Sequence, residues 1–203
     1  HFHRPALDHG HRALFLTDNN DHGGDFLTDS TESIAKLGGM LSVDEVNLAG
    51  DAAATRSQLL GKLNDGVALF HYFGHAGSDR LANEGLLTSA SVDALLNGSR
   101  TPLAMLMTCV AGNYGYPGYD SLGVRLTKRG AGGAIASLAA SSLEMQADSR
   151  LLSQGVLTGL ADGSRRSIGE AIRLGLASAR DAETPLATRL TYNLFGDPAV
   201  RLK

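Results

Sequence analysis

Apolar residues gather into short runs, and between the runs they fall at helical spacing. The strand-like runs are "RALFLT" (12–17), "VDEVNL" (43–48), "VALFHYF" (67–73), "PLAMLMT" (102–108) and "GGAIASL" (132–138), with a short one around "RLTYNLF" near the end. Between them lie helical stretches. One starts at Asp29, with Glu32 three residues on as in a capping box. Another spans 55–65, with Leu59, Leu60 and Leu63 on one face. A third spans 91–98, with Ser91 as its cap and Gly98 as its stop. A fourth spans 120–130, with Lys128 and Arg129 at its negative end. Two more fall near 148–160 and 168–180. This alternation predicts an α/β fold with a mostly parallel central sheet and helices on both faces. With no long linker and no repeat, the chain reads as a leader or linker over residues 1–11 and one domain over 12–203.

Composition narrows the function classes. The 203 residues carry a formal net charge of −3, and 43% are hydrophobic. No basic stripe collects phosphates, so nucleic acid is set aside as a partner. The apolar runs are far too short to span a bilayer. One cysteine excludes an internal disulfide and a multi-cysteine zinc site. The start, "HFHRPALDHGHRALF", lacks the apolar core of a signal peptide, and a longer multidomain precursor is expected around this chain.

The third and fourth strands share a design: each ends in a polar, glycine-rich loop carrying one reactive side chain, His75 in "GHAGS" and Cys109 in "TCVAGNYG". In a parallel sheet both loops lie at the C-terminal edge, where ligands bind. If the strands are neighbours, their tips are roughly 5 Å apart. A Cys/His pair is the minimum for covalent acyl transfer. Gly74 and Gly77 would let the loop turn, Gly112 and Gly115 would open space beside the nucleophile, and the N–H groups of Ala76 and Cys109 would face an oxyanion. The competing reading is structural, since a lone cysteine is usually a small buried hydrophobe. His71, inside its strand, reads as structural.

The segments "LNDGVALFHYFGHAGS", "LMTCVAGNYGYPGYDSLGVRL", "GAGGAIASLAASS", "SIGEAI" and "YNLFGDPAVRL", with the opening "RALFLTDNND", resemble the gingipain-type cysteine peptidases of family C25. The likeness runs from about Arg12 to Leu202. It implies a caspase-hemoglobinase fold and a cysteine endopeptidase acting on protein or peptide through a thioester acyl-enzyme, with Cys109 as nucleophile and His75 as its acid/base partner. It also implies an acid that orients the histidine: Asp18 in "TDNND" is placed first and Asp21 second. Cleavage after basic residues would need an acid in the S1 pocket, for which Asp25 and Asp29 are named, with Asp79 and Asp120 flanking the two loops and Phe73 and Met107 as pocket walls. The family's setting is secreted or cell-surface, no cofactor is needed for the chemistry, and a structural calcium would suit the "DNNDHGGDFLTD" loop. There are two departures: Ala76 replaces the usual glycine after the histidine, and this stretch of chain is expected to lie outside the extra N-terminal subdomain of the gingipains.

Other signals carry less. His1, His3, Asp8 and His9 do not have metal-site spacing. The 18–29 loop is weak as an EF-hand, because His22 stands where an oxygen is wanted. "GAGGA" lacks the Lys-Ser/Thr of a phosphate loop. Two rivals remain: an intracellular CHAT-type protease acting on a dedicated protein partner, and a catalytically inert binding domain of the same fold.

Overall fold

A computed structural model describes residues 9–163 and 166–202. A six-stranded sheet forms its centre. In chain order its strands are β1 (Arg12–Thr17), β2 (Ser42–Asn47), β3 (Leu69–Phe73), β7 (Leu103–Met107), β8 (Ala136–Ala140) and β9 (Tyr192–Gly196), and a small separate sheet holds β4 (Ala76–Gly77), β5 (Arg80–Leu81) and β6 (Leu87–Thr88). The large sheet runs β2-β1-β3-β7-β8-β9. Its strands are parallel except β9, which pairs antiparallel with β8. The strand order reverses between β1 and β3, and the β1 and β3 loops open there.

The pleat divides the apolar residues between two helical layers. Ala13, Phe15, Leu69, Phe73, Leu103, Met105 and Met107 share one core with residues of α1 (Phe26–Ala35), α5 (Gln146–Ala161) and α6 (Ile168–Asp181). Leu14, Leu16, Phe70, Tyr72, Ala104 and Leu106 face the other way, toward α2 (Ala52–Asp65), α3 (Ser89–Asp93) and α4 (Leu122–Lys128). A short α7 (Leu186–Thr191) leads into β9.

Several boundaries differ from the sequence reading, each for a local reason. The cap of α1 is Asp25, which accepts the Thr28 N–H, so the helix begins before Asp29. Thr88 rather than Ser91 caps α3, which ends at Asp93. β8 starts at Ala136 because Gly132 and Gly133 both take positive φ, and a Cβ at Gly133 would lie 2.2 Å from the Leu126 carbonyl oxygen. The expected leader falls outside the described residues up to residue 8, as do His1, His3 and Asp8 of the discounted metal pattern; His9–His11 form a 3-10 turn before β1. No described helix is long and apolar enough to cross a membrane.

His71 lies deep in β3, fully buried. Its ring stacks on Phe15 at 4.7 Å and meets Phe73 edge-on at 4.6 Å. One ring nitrogen pairs with Ser153 Oγ at 2.7 Å. Burial pushes its pKa down to about 3, so the ring stays neutral.

Candidate active site

Strands β3 and β7 are adjacent, with Phe73 opposite Met107. His75 and Cys109 each lie two residues beyond that pair, at the same edge of the sheet. The Thr108 hydroxyl donates to the Gly74 carbonyl at 2.6 Å and ties the two loops together.

The β1 loop forms the support for the His75 ring. Asp21 and Gly24 close a tight turn through mutual main-chain hydrogen bonds, and the Gly23 N–H donates to Asp21 Oδ1 at 2.7 Å. That bond is the first reason the Asp21 carboxyl sits below its ordinary range. His75 Nε2 lies 3.0 Å from Asp21 Oδ2, and Phe26 meets the ring edge-on. A Cβ at Gly23 would come within 2.6 Å of His75 Cε1, so the ring rests directly on this glycine.

Asp18, the first-placed partner of that ring, acts elsewhere. It is buried at the end of β1, where Oδ2 accepts the main-chain N–H of His75 at 3.1 Å and Oδ1 accepts the Asn19 N–H at 3.0 Å. The carboxylate on the ring belongs to Asp21. The chain reverses direction past Asp18, and only the later acid reaches the outer face of the histidine.

The cysteine loop is shaped by strain. Val110 has φ 45°, a left-handed value that is a genuine outlier for a β-branched residue. The Ala111 N–H donates to the Cys109 carbonyl at 2.6 Å, which closes a γ-turn centred on Val110. Outside the turn, the Val110 N–H donates to the Ser142 carbonyl at 3.0 Å. The half-buried thiol lies against the same segment: the Glu144 N–H donates to Sγ at 3.3 Å, and Sγ lies 3.5 Å from the Glu144 carbonyl oxygen. Among the described residues no hydrogen bond joins Cys109 to His75.

Two main-chain donors remain near these side chains. The Cys109 N–H has no hydrogen-bond acceptor among the described residues. The Ala82 N–H donates to the His75 carbonyl, which makes Ala76 and Leu81 a pair of the non-hydrogen-bonded kind, so the Ala76 N–H points away from β5.

The named substrate-pocket residues fare differently. Phe73 and Met107 are fully buried in the core shared with α1 and α5, so they are not pocket walls. Asp25 is occupied in capping α1 and also accepts from Asn20. Asp29 accepts from Gln146 at 2.9 Å and pairs with Arg150 at 3.2 Å, while burial pushes its carboxyl up. Asp79 and Asp120 pair with Arg80 and Lys128. Gly112 opens no space, because a Cβ there would lie 2.6 Å from the Ala139 carbonyl oxygen. Apolar groups occupy the rim instead. Leu143 and Met145, on either side of Glu144, are exposed, as are Tyr114, Tyr116 and Tyr119 on the cysteine loop. The part played by the 141–145 segment carries no mark in the sequence, where the fifth strand reads as 132–138 and the residues after it show no pattern. Among the described residues no group of three His, Cys, Asp or Glu converges to hold a metal ion.

A sheet of this order, with these loops at its edge, is the caspase-like fold, as comparison with solved structures bears out. Gingipain R, described as an Arg-specific cysteine proteinase, matches with a TM-score of 0.82 at 17% identity, over 98% of this chain and 49% of its own. The complex of Porphyromonas gingivalis RgpB pro- and mature domains matches at 0.79 with 16% identity, over 98% and 50%. The separase–securin complex of Saccharomyces cerevisiae is more distant, at 0.60 and 14%, over 92% of this chain and 12% of that one. The chain thus spans about half the length of the gingipain chains it matches. No curated protein matches it in sequence. The sequence profile of peptidase family C25 matches residues 8–203, and the chain belongs to that family.

Proposed function

We propose that this chain is a cysteine endopeptidase that cleaves protein or peptide substrates through Cys109 and His75. The observation that carries the proposal is the placement of these residues two positions beyond a register-paired couple of strands, one ring seated on a carboxylate and one half-exposed thiol held by a main-chain N–H. In this reading the Cys109 sulfur attacks the scissile carbonyl, and His75 takes the thiol proton and returns it to the leaving amine. The products are a thioester and a free amine. Water then attacks the thioester with His75 as base and releases the acid. Asp21 holds the imidazole in place through the contact at Nε2. The N–H groups of Ala76 and Cys109 serve the oxyanion.

The rim of Leu143, Met145 and the loop tyrosines would give the peptide apolar contacts. A basic P1 preference would require Asp29 to exchange Arg150 for a substrate cation. A secreted or cell-surface setting, within a longer protein, belongs to the same reading by family likeness.

The test is cleavage of a mixed peptide library by the wild type and Cys109→Ala, read by mass spectrometry. Cuts made only by the wild type are expected, and their P1 residues report on the Asp29–Arg150 pair. A wild type that makes no cuts, with calcium present and after limited proteolysis, would leave the inert binding domain as the better account.

A further inference from the structure

Asp18 is a buried carboxylate at a position where packing asks for none. Burial pushes its pKa up, and Glu84 adds to that, while the two N–H donors pull it down. Burying such a group is costly unless something specific uses it. Its carboxylate accepts from Asn19, its own neighbour in sequence, and from the main chain of His75, and the Tyr72 hydroxyl lies 3.4 Å from the same Oδ2.

Tyr72 approaches the same residue from the other side. Its buried hydroxyl donates to the His75 carbonyl at 2.7 Å and accepts the Ala82 N–H at 3.1 Å. That N–H also donates to the His75 carbonyl at 2.8 Å. Ala82 takes φ 58° to aim it there, a left-handed conformation that an alanine adopts only at a cost. Gly74 lets the two side chains close in: a Cβ there would lie 2.3 Å from Tyr72 Oη and 2.4 Å from Asp18 Cβ, and its φ is 152°.

Resting on the peptidase reading above, we infer that Asp18 and Tyr72 are positioning residues, a main-chain clamp that fixes both peptide groups of His75 so that its exposed ring stands over Asp21 and Gly23. Neither residue touches substrate. The side chain of His75 is 43% exposed and is packed on one side by Phe26 and Gly23, so its position over Asp21 follows the backbone that carries it.

The acceptor, and not the charge, is what Asp18 provides; this separates the clamp from an electrostatic role. Asp18→Asn keeps an oxygen for the His75 N–H and gives up the bond from Asn19, whose N–H would face the new amide NH2, and Asp18→Ala removes both acceptors. Tyr72→Phe keeps the ring in the core and deletes the hydroxyl. A displacement of the ring by even 1 Å costs up to about 100-fold in rate. The clamp therefore predicts that Tyr72→Phe and Asp18→Ala lower kcat about tenfold or more with KM within about twofold, and that Asp18→Asn restores most of the loss. The pH dependence of kcat/KM should keep its wild-type form in Asp18→Asn.

The second readout needs no catalysis. In proteins labelled with 15N-histidine, the His75 ring signal should shift toward that of Asp21→Asn in Tyr72→Phe and stay at its wild-type position in Asp18→Asn. If Asp18→Asn is as damaged as Asp18→Ala, Asp18 acts through its charge and the clamp is wrong. Unchanged kcat and ring signal in folded Tyr72→Phe would overturn it too. Should the wild type cleave no peptide, the peptidase reading fails alone, and the ring signals still decide the clamp. Tyr72→Phe serves where Asp18→Ala does not fold.

Discussion

Two histidines stand four residues apart in "HYFGH", and the protein treats them in opposite ways. His71 is sealed between Phe15 and Phe73, and one ring nitrogen is spent on Ser153. His75, just past the strand, has an exposed ring on Asp21 and a main chain gripped by Tyr72 and Asp18. In one the side chain is fixed by packing. In the other the backbone is fixed and the side chain is left accessible. Chemistry needs the second arrangement, because a proton carrier must reach both solvent and substrate.

The sharpest way to break this comparison is to exchange the consequences. His75→Gln is expected to lower kcat/KM by about 10³-fold or more while thermal unfolding stays near the wild type. His71→Phe should leave kcat/KM within about twofold, as assayed on any peptide cut in the library. Gly23→Ala comes next: the added methyl must displace the His75 ring, and a loss of about 100-fold in kcat is expected with little change in stability. Asp21→Asn keeps the turn but removes the charge, with an expected loss of about tenfold.

The buried ring makes its own prediction. His71 has its pKa lowered in the fold to about 3 from an ordinary 6.5, so it stays neutral while the unfolded chain takes up a proton. Its stabilising contribution is complete above pH 6.5 and is lost as the pH falls toward 3, with a slope of at most about 1.4 kcal/mol per pH unit. Urea denaturation across that window should show the slope in the wild type and a flatter profile in His71→Phe. The smallest effect is expected at Asp18. Its folded pKa is raised, so its ionised form costs stability above the ordinary value of 3.8, and the stability difference between wild type and Asp18→Asn should move in the wild type's favour as the pH falls through that range.

Much of this contrast is legible in the sequence. The central strands show as apolar runs because both their faces are buried, and the glycine-rich loops after two of them mark where the sheet edge opens. What stays hidden depends on direction. Phe73 and Met107 sit next to the reactive loops in sequence, yet the pleat sends both into the core with Leu69 and Leu103, a parity that counting by twos along β3 and β7 would have revealed. The acid on the ring is Asp21 because its own turn, Asp-His-Gly, folds the carboxylate back on the Gly23 N–H; an Asx turn was the available signal. Tyr72 and the Glu144 main chain leave no such mark, since their parts depend on contacts across 3 and 35 residues. The small antiparallel sheet is equally hidden, being built from strands of two residues.

The chain contains a single cysteine, and that thiol is half-exposed. A thiol-directed fluorophore therefore has one place to go, and the fraction that labels more slowly than the urea-unfolded chain counts folded molecules, preparation by preparation. Rates measured on different variants can be normalised to that count, so a slow enzyme is told apart from a small fraction of fast ones.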